Sequence, residues 1–414
     1  MTPDTLQFSY CMNVHPGETL PDQLRALREV VPHIKAALSP DQPFGLGLRI
    51  SSRCLESLRD PAALASFREA LDAAGAYAFT VNAFPYGAFH RTRVKENVYA
   101  PDWLTPERFN YTLGVCEVLA ALLQEGIEGS VSTVPLTYGG WTDRAADLRA
   151  FVDPLGRMAD ALADLEQRTG RCIHLGLEPE PDCALQTTPE TIAWFNDAFF
   201  AAPPDTAARR RRHVGVCVDT CHVAMQFEDP AATLNACAAA GIRVSKVQVS
   251  AALACSASPQ ALHALRAFDD GVYLHQVKSA AGASWPDLPA LFASPPAPDT
   301  ALRIHCHVPL HWRGAPPLDS TADTLGPAFP RALHNSGCRH VEVETYTFDV
   351  LPASVRAGGL ERVATMSTHC CPPGGETSSI QARTPGYPSY WRAPPPPGVP
   401  GASTLNGPPF DRLS

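Results

Sequence analysis

Five short apolar runs in this chain each close on a carboxylate, an imidazole or an amide: LGLEPEP, VCVDTCH, KVQVS, RIHCHV and VEVET. In order they deliver Glu178, Asp219 with His222, Gln248, His305 with His307, and Glu344. Carboxylate oxygens and imidazole nitrogens are what a divalent ion such as zinc, manganese or cobalt accepts, and three or four must converge while leaving room for a substrate. Glu178, Asp219, Gln248, Glu344, His305 and His307 are therefore candidate metal ligands, and the chemistry expected is metal-assisted.

Each piece has a plainer explanation. Glu178 could be a cap or a rim salt bridge, Asp219 could cap the helix that follows it, and Gln248 could satisfy a buried backbone group. The HxH of His305 and His307 could be a solvated strand edge, although an extended backbone would put both rings on one face. What sets the metal reading apart is that the groups recur in order at the ends of successive strand-like runs, with His222 three positions after Asp219.

The elements that must position these groups alternate along the chain. FSYCMNV, an amphipathic stretch from Leu20 to Leu38, FGLGLRI, and a helix over Pro61 to Ala74 open a βαβα pattern, the mark of a parallel sheet. It continues with YAFTVNAF, a helix from Pro106 to Glu125, SVSTVPLT, a helix from Ala145 to Thr169, and CIHLGLE. A helix over Glu190 to Phe200, VGVCVD, a helix over Ala231 to Ala240, RVSKVQVS and finally HVEVETY complete it. Eight strands alternating with helices predict an α/β fold, a closed (β/α)8 barrel whose strand ends carry the site. RIHCHV would make a ninth strand, so it is expected in an excursion between strands seven and eight, fed by the Ala-, Ser- and Pro-rich stretch from Ala251 to Ala301 with a short helix over Ala261 to Phe268. Arg209 to Arg212 is expected in a solvated loop. The barrel is assigned residues 1–368, with residues 355–366 the only candidate for its last helix. Residues 369–414, rich in Pro and Gly, are expected to be a disordered tail.

A chain of 414 residues, 45% hydrophobic and with a net charge of -9, can fill such a barrel and lacks the basic balance of a general nucleic-acid binder. Its 13 cysteines are scattered without a CxxC pair, so they read as small buried hydrophobes rather than a disulfide or zinc framework. No secretory signal opens the chain and no run is long enough for a transmembrane segment, which makes a reducing cytoplasm the expected compartment. Neither GxGxxG nor GxxxxGKS occurs, so nucleotide cofactors have no support.

The order of Glu178 in LEPEP, Asp219 and His222 in DTCH, Gln248 in KVQVS and Glu344 in VETY resembles the xylose isomerase-like TIM-barrel superfamily, which holds sugar isomerases and epimerases and the type IV endonucleases. Within it, YCMNVHPGE, TVNAFPYGAFH and VKENVYAPDW look most like the EboE family of metabolite traffic proteins, over roughly residues 5 to 352. The resemblance implies that Glu178, Asp219 and Glu344 match metal-binding carboxylates, and that Gln248 stands where histidine is usual. It also implies that His305 and His307 fall where the endonucleases have further zinc ligands. In an epimerase of this kind Glu178 and Glu344 would be the acid/base pair, and His222 would orient substrate or tune a carboxylate. Asn13, His15, Asn82, His90 and Trp141, at or beyond the ends of strands one, three and four, would line the mouth and bind a small metabolite or sugar. EboE-like handling of a secondary metabolite, in company with other proteins of a traffic pathway, is the function the resemblance implies first. A metal-dependent sugar isomerase is the second, and an endonuclease IV-like phosphodiesterase the third.

Overall fold

The structure, a computed structural model, describes residues 6–15, 17–88, 94–344, 346–353 and 355–356. The expected tail over 369–414, most of the candidate closing helix over 355–366, and His90 lie outside the described residues. Eight parallel strands close into a barrel. They are β1 (Gln7–Cys11), β2 (Phe44–Arg49), β3 (Ala76–Asn82), β4 (Gly129–Thr133), β5 (Ile173–Leu177), β6 (Val214–Asp219), β7 (Val244–Val249) and, after an excursion, β13 (His340–Val343), which returns to pair with β1. The eight-stranded α/β barrel expected from the alternation is present.

The helices between strands start where local chemistry starts them. Asp60, Thr105, Asp229 and Ser258 each accept a hydrogen bond from a first-turn N–H, and each is followed directly by a proline, whose fixed φ suits the first helical position. The helix Val152–Thr169 ends on Gly170 at φ 68°, a conformation that favours glycine. One expectation fails: Arg209 to Arg212 lie in a helix, Pro204–His213, and not in a loop. Arg209 and Arg212 pair with Asp160 and Glu166, Arg210 and Arg211 donate to backbone carbonyls, and Arg210 to Arg212 sit in the last turn, where the helix dipole favours them.

The excursion is a small sheet of its own. It contains β8 (Ala251–Ser256), β9 (Val277–Ser279), β10 (Ser284–Trp285), β11 (Ala301–Val308) and β12 (Leu318–Ser320), paired antiparallel in the order β10-β9-β11-β8-β12. RIHCHV is its central strand β11, and the expected helix is Pro259–Leu265 with a 3-10 turn to Phe268. Because β8 starts two residues after β7 ends, the sheet rises directly from the strand ends of the barrel.

Along the later barrel strands apolar and polar positions alternate, with register shifts between Leu46 and Gly47 and between Val216 and Cys217. Leu175, Leu177, Val216, Val218, Val247, Val249, Val341 and Val343 are buried in the hydrophobic core. The intervening positions place His174, Cys217, Lys246, Gln248 and Glu342 in the barrel interior, all buried. The Lys246 ammonium donates to a Glu342 carboxylate oxygen, and Gly47 makes room for that carboxylate: a Cβ there would stand 1.6 Å from Glu342 Oε1. The described cysteines are buried and free of disulfides, and no described helix is long and apolar enough to cross a membrane.

Candidate metal centre

Asp219 is the last residue of β6 and the N-cap of helix Thr220–Met225, and the two positions give its two oxygens different surroundings. Oδ1 accepts from the N–H groups of Cys221 and His222 and from Ser250 Oγ at 2.5 Å. Oδ2 is buried without a hydrogen-bond partner. The capping role expected of Asp219 falls to Oδ1, and Oδ2 takes no part in it. Glu344, one residue past β13, repeats the arrangement: Oε1 accepts from Asn13 Nδ2 at 2.8 Å and Asn82 Nδ2 at 3.4 Å, while Oε2 has no partner. Glu178, one residue past β5, likewise leaves Oε2 unpartnered.

Glu178, Asp219 and Glu344 each bring an oxygen within 4.8 Å of the other two, all three buried. Three carboxylates at that spacing in a dry interior repel one another unless a cation or protons intervene. Burial first, and then the neighbouring carboxylates, push Glu178 and Glu344 well above the usual carboxylate range. Burial acts the same way on Asp219, but His222, His307 and the Ser250 hydroxyl outweigh it and hold its pKa below the ordinary value. Gln248 lies level with Asp219 in the sheet register; its Oε1 accepts from the Cys217 thiol and its buried Nε2 has no partner.

A second group stands beside the first. The helix turn after Asp219 carries His222, and β11 carries His305 and His307 with ring centroids 5.5 Å apart, both facing His222. His222 Nδ1 donates to the Pro179 carbonyl at 3.1 Å. His305 Nδ1 donates to Gln276 Oε1 at 2.7 Å, an amide whose orientation is set because its Nε2 donates to the Pro181 carbonyl and to Tyr99. With each ring proton committed at Nδ1 to a group that only accepts, His222 Nε2 and His305 Nε2 present lone pairs to each other across 3.0 Å. Imidazoles oriented in this way by hydrogen bonds at the far nitrogen are what metal ligation uses. His307 Nε2 lies 3.9 Å from Asp219 Oδ2, so Asp219 belongs to both groups. Burial lowers the pKa of all three imidazoles, His307 to about 4, which leaves them unprotonated at neutral pH.

Glu178 and Glu344 from the first group and His222, His305 and His307 from the second line a solvent-open cavity of about 540 Å³. Of the mouth residues expected from sequence, Asn13 and Asn82 line it. His15 does not; its Nε2 lies 2.9 Å from the Tyr10 hydroxyl. Trp141 packs edge-on against Tyr138, outside the cavity. Sequence reasoning missed Glu180, Tyr99, Gln276 and Lys95. Glu180 is the second glutamate of LEPEP, the only one of these with a visible signal. It lines the cavity, accepts from the Tyr99 hydroxyl at 2.9 Å, and is pushed up to about 8, chiefly by burial.

No family model matches this chain, and no curated protein matches it. Its fold is similar to solved structures of low identity. One is an IOLI protein with a binding zinc atom, 14% identical over 87% of this chain and 94% of that one at a TM-score of 0.45. Another is a xylose isomerase domain protein from Alicyclobacillus acidocaldarius subsp. acidocaldarius, 13% identical over 87% and 95% at 0.43. An AP endonuclease, family 2, from Brucella melitensis is 14% identical over 59% and 80% at 0.36. The fold is a TIM barrel, and these likenesses are likenesses of fold alone. The EboE resemblance rests on its sequence motifs and is joined by no family match.

Proposed function

We propose that this protein is a divalent-metal-dependent enzyme that isomerises or epimerises a small hydroxy-carbonyl compound. The observation that carries the reading is the trio Glu178, Asp219 and Glu344, each with a buried oxygen that nothing in the described structure satisfies. These three would hold the ion. Gln248 would assist through its amide oxygen once the two ends of that amide are exchanged, a weaker donor than the imidazole the resemblance leads one to expect. A bound divalent cation would supply Lewis acidity at a substrate carbonyl. Asn13 and Asn82 fix Glu344 by one oxygen and so keep the other turned to the site. With Glu178 and Glu344 both committed to the carboxylate trio, Glu180 is the group left to carry a proton. It faces the same cavity, and a carboxyl held at about 8 can both give and take a proton near neutral pH.

A second reading draws on the imidazole group. His222, His305 and His307, with Asp219 shared, are more than one ion needs; holding a second cation, they would suit metal-assisted hydrolysis of a phosphodiester. EboE-like handling of a metabolite would use the same cavity without turnover.

Metal content of the purified protein, with a Glu178→Gln/Asp219→Asn double variant alongside, separates these readings. About one equivalent in the wild type, lost in the variant, together with solvent-deuterium exchange into an α-hydroxy ketone, is the expected result. Two equivalents with phosphodiester hydrolysis would favour the second reading. Protein that takes up no divalent metal would sink both.

A further inference from the structure

Above the polar floor the cavity changes character. Phe84 and Pro85, just beyond β3, face it with Val94 and Val98 from the following loop, Leu274 from the excursion and Tyr346 from beyond β13. Val94 and Tyr273 form a small apolar cluster of their own with Val98 and Tyr346, apart from the main core. Their aromatic members make a lane leading out from the imidazole group. The Tyr346 ring lies 4.6 Å from that of His307, and Tyr273 meets Tyr346 edge-on at 5.4 Å. Lys95 is the one cationic side chain on this wall among the described residues. Its ammonium is committed to the Tyr273 carbonyl and to Asp287, both at 2.6 Å.

Among the described residues, a polyol placed against Phe84, Val94, Val98 and Leu274 would bury hydroxyls on side chains that offer no hydrogen bond, and unpaired buried hydroxyls are heavily penalised. A ligand with one polar head and an apolar body would leave nothing unpaired: the head meets the carboxylate and imidazole floor, and the body lies along the Tyr346–Tyr273 lane. We infer that the substrate of this site is a hydroxy-carbonyl compound bearing an aryl or comparably apolar group, and not a free sugar or a sugar phosphate. The inference deepens the isomerase reading above and rests on it for the identity of the polar head.

The test uses full-length protein loaded with zinc, titrated by calorimetry with three probes: 2-hydroxyacetophenone, hydroxyacetone and D-fructose 6-phosphate. The first two share the α-hydroxy ketone and differ in phenyl against methyl, so their ratio reports the wall alone. The phenyl compound is expected to bind about tenfold tighter or more, the discrimination typical of apolar pockets. Val98→Ala and, separately, Leu274→Ala should reduce that ratio while leaving the metal content of wild type, with the melting temperature checked alongside. Equal binding of the two ketones, or tightest binding of the sugar phosphate, would overturn the inference. Metal content is measured on the same samples. A phenyl preference in protein that holds no metal supports the apolar wall while removing the isomerase reading; metal retained with no preference removes the wall proposal alone.

Discussion

His222 Nε2 and His305 Nε2 face each other at 3.0 Å with both ring protons committed elsewhere, and three carboxylates crowd within 4.8 Å beside them. At the scale of single residues the site is an arrangement of unneutralised lone pairs, which a cation or protons must relieve. This fixes how a metal should respond to pH. Glu178 and Glu344 have raised pKa values, so each takes up a proton when the metal-free chain folds. The stability this contributes is complete below the unfolded value, roughly 4.3, and is lost as pH climbs through the folded one. Metal displaces those protons, whereas His307, at about 4, is already unprotonated and offers little competition. The rise in melting temperature on adding zinc to metal-free protein should therefore grow between about pH 5 and pH 8. A rise that is flat or shrinks over that range, read by scanning calorimetry, would mean that these carboxyls do not hold the ion.

At the scale of elements, the barrel strands turn polar side chains into the interior, and among them Lys246 on β7 is paired with Glu342 on β13. Both are fully buried, and Gly47 on β2 supplies the space. Removing one member of a buried ion pair leaves the other charge unpaired in a low-dielectric interior, which costs about 3–5 kcal/mol, whereas replacing both by apolar groups is often neutral. Lys246→Met is thus expected to lose about that much stability in urea titrations, and Lys246→Met with Glu342→Leu to regain most of it. A double variant as unstable as the single one would show that the pair is not the source of the loss. The excursion works as an element too: β11 is what brings two imidazoles over strand ends that otherwise present carboxylates.

For the whole molecule, the barrel interior is a column of polar groups in a low-dielectric wall, and its buried histidines govern behaviour in acid. His340, held down to about 3 mainly by burial, packs with ring centroids 5.2 Å from His174, whose pKa is also well below its ordinary value. A depressed imidazole contributes stability that is present above its unfolded value, near 6.5, and is lost as pH falls toward the folded one. Each such histidine should steepen the loss by about 1.4 kcal/mol per pH unit below about 6.5. His340→Asn is expected to flatten that slope by about one proton; an unchanged slope would locate the acid sensitivity elsewhere. How much of this was legible follows from range. The alternation of strand-like and helix-like runs and the order of Glu178, Asp219, His222 and Glu344 at the ends of those runs are local patterns, so the sequence by itself determined the eight-stranded barrel and which residues its strand ends would carry. Contacts between residues far apart in the chain decided the rest. Asn13 and Asn82 reach Glu344 across more than 260 positions. Gln276, one residue before β9, sets the tautomer of His305, and Arg209 and Arg212 find carboxylate partners on the helix Val152–Thr169 that no local composition announces. Only the closed barrel brings those groups within hydrogen-bonding distance, and only there do Glu178, Asp219 and Glu344 gather beside His222, His305 and His307, with Asp219 common to both groups.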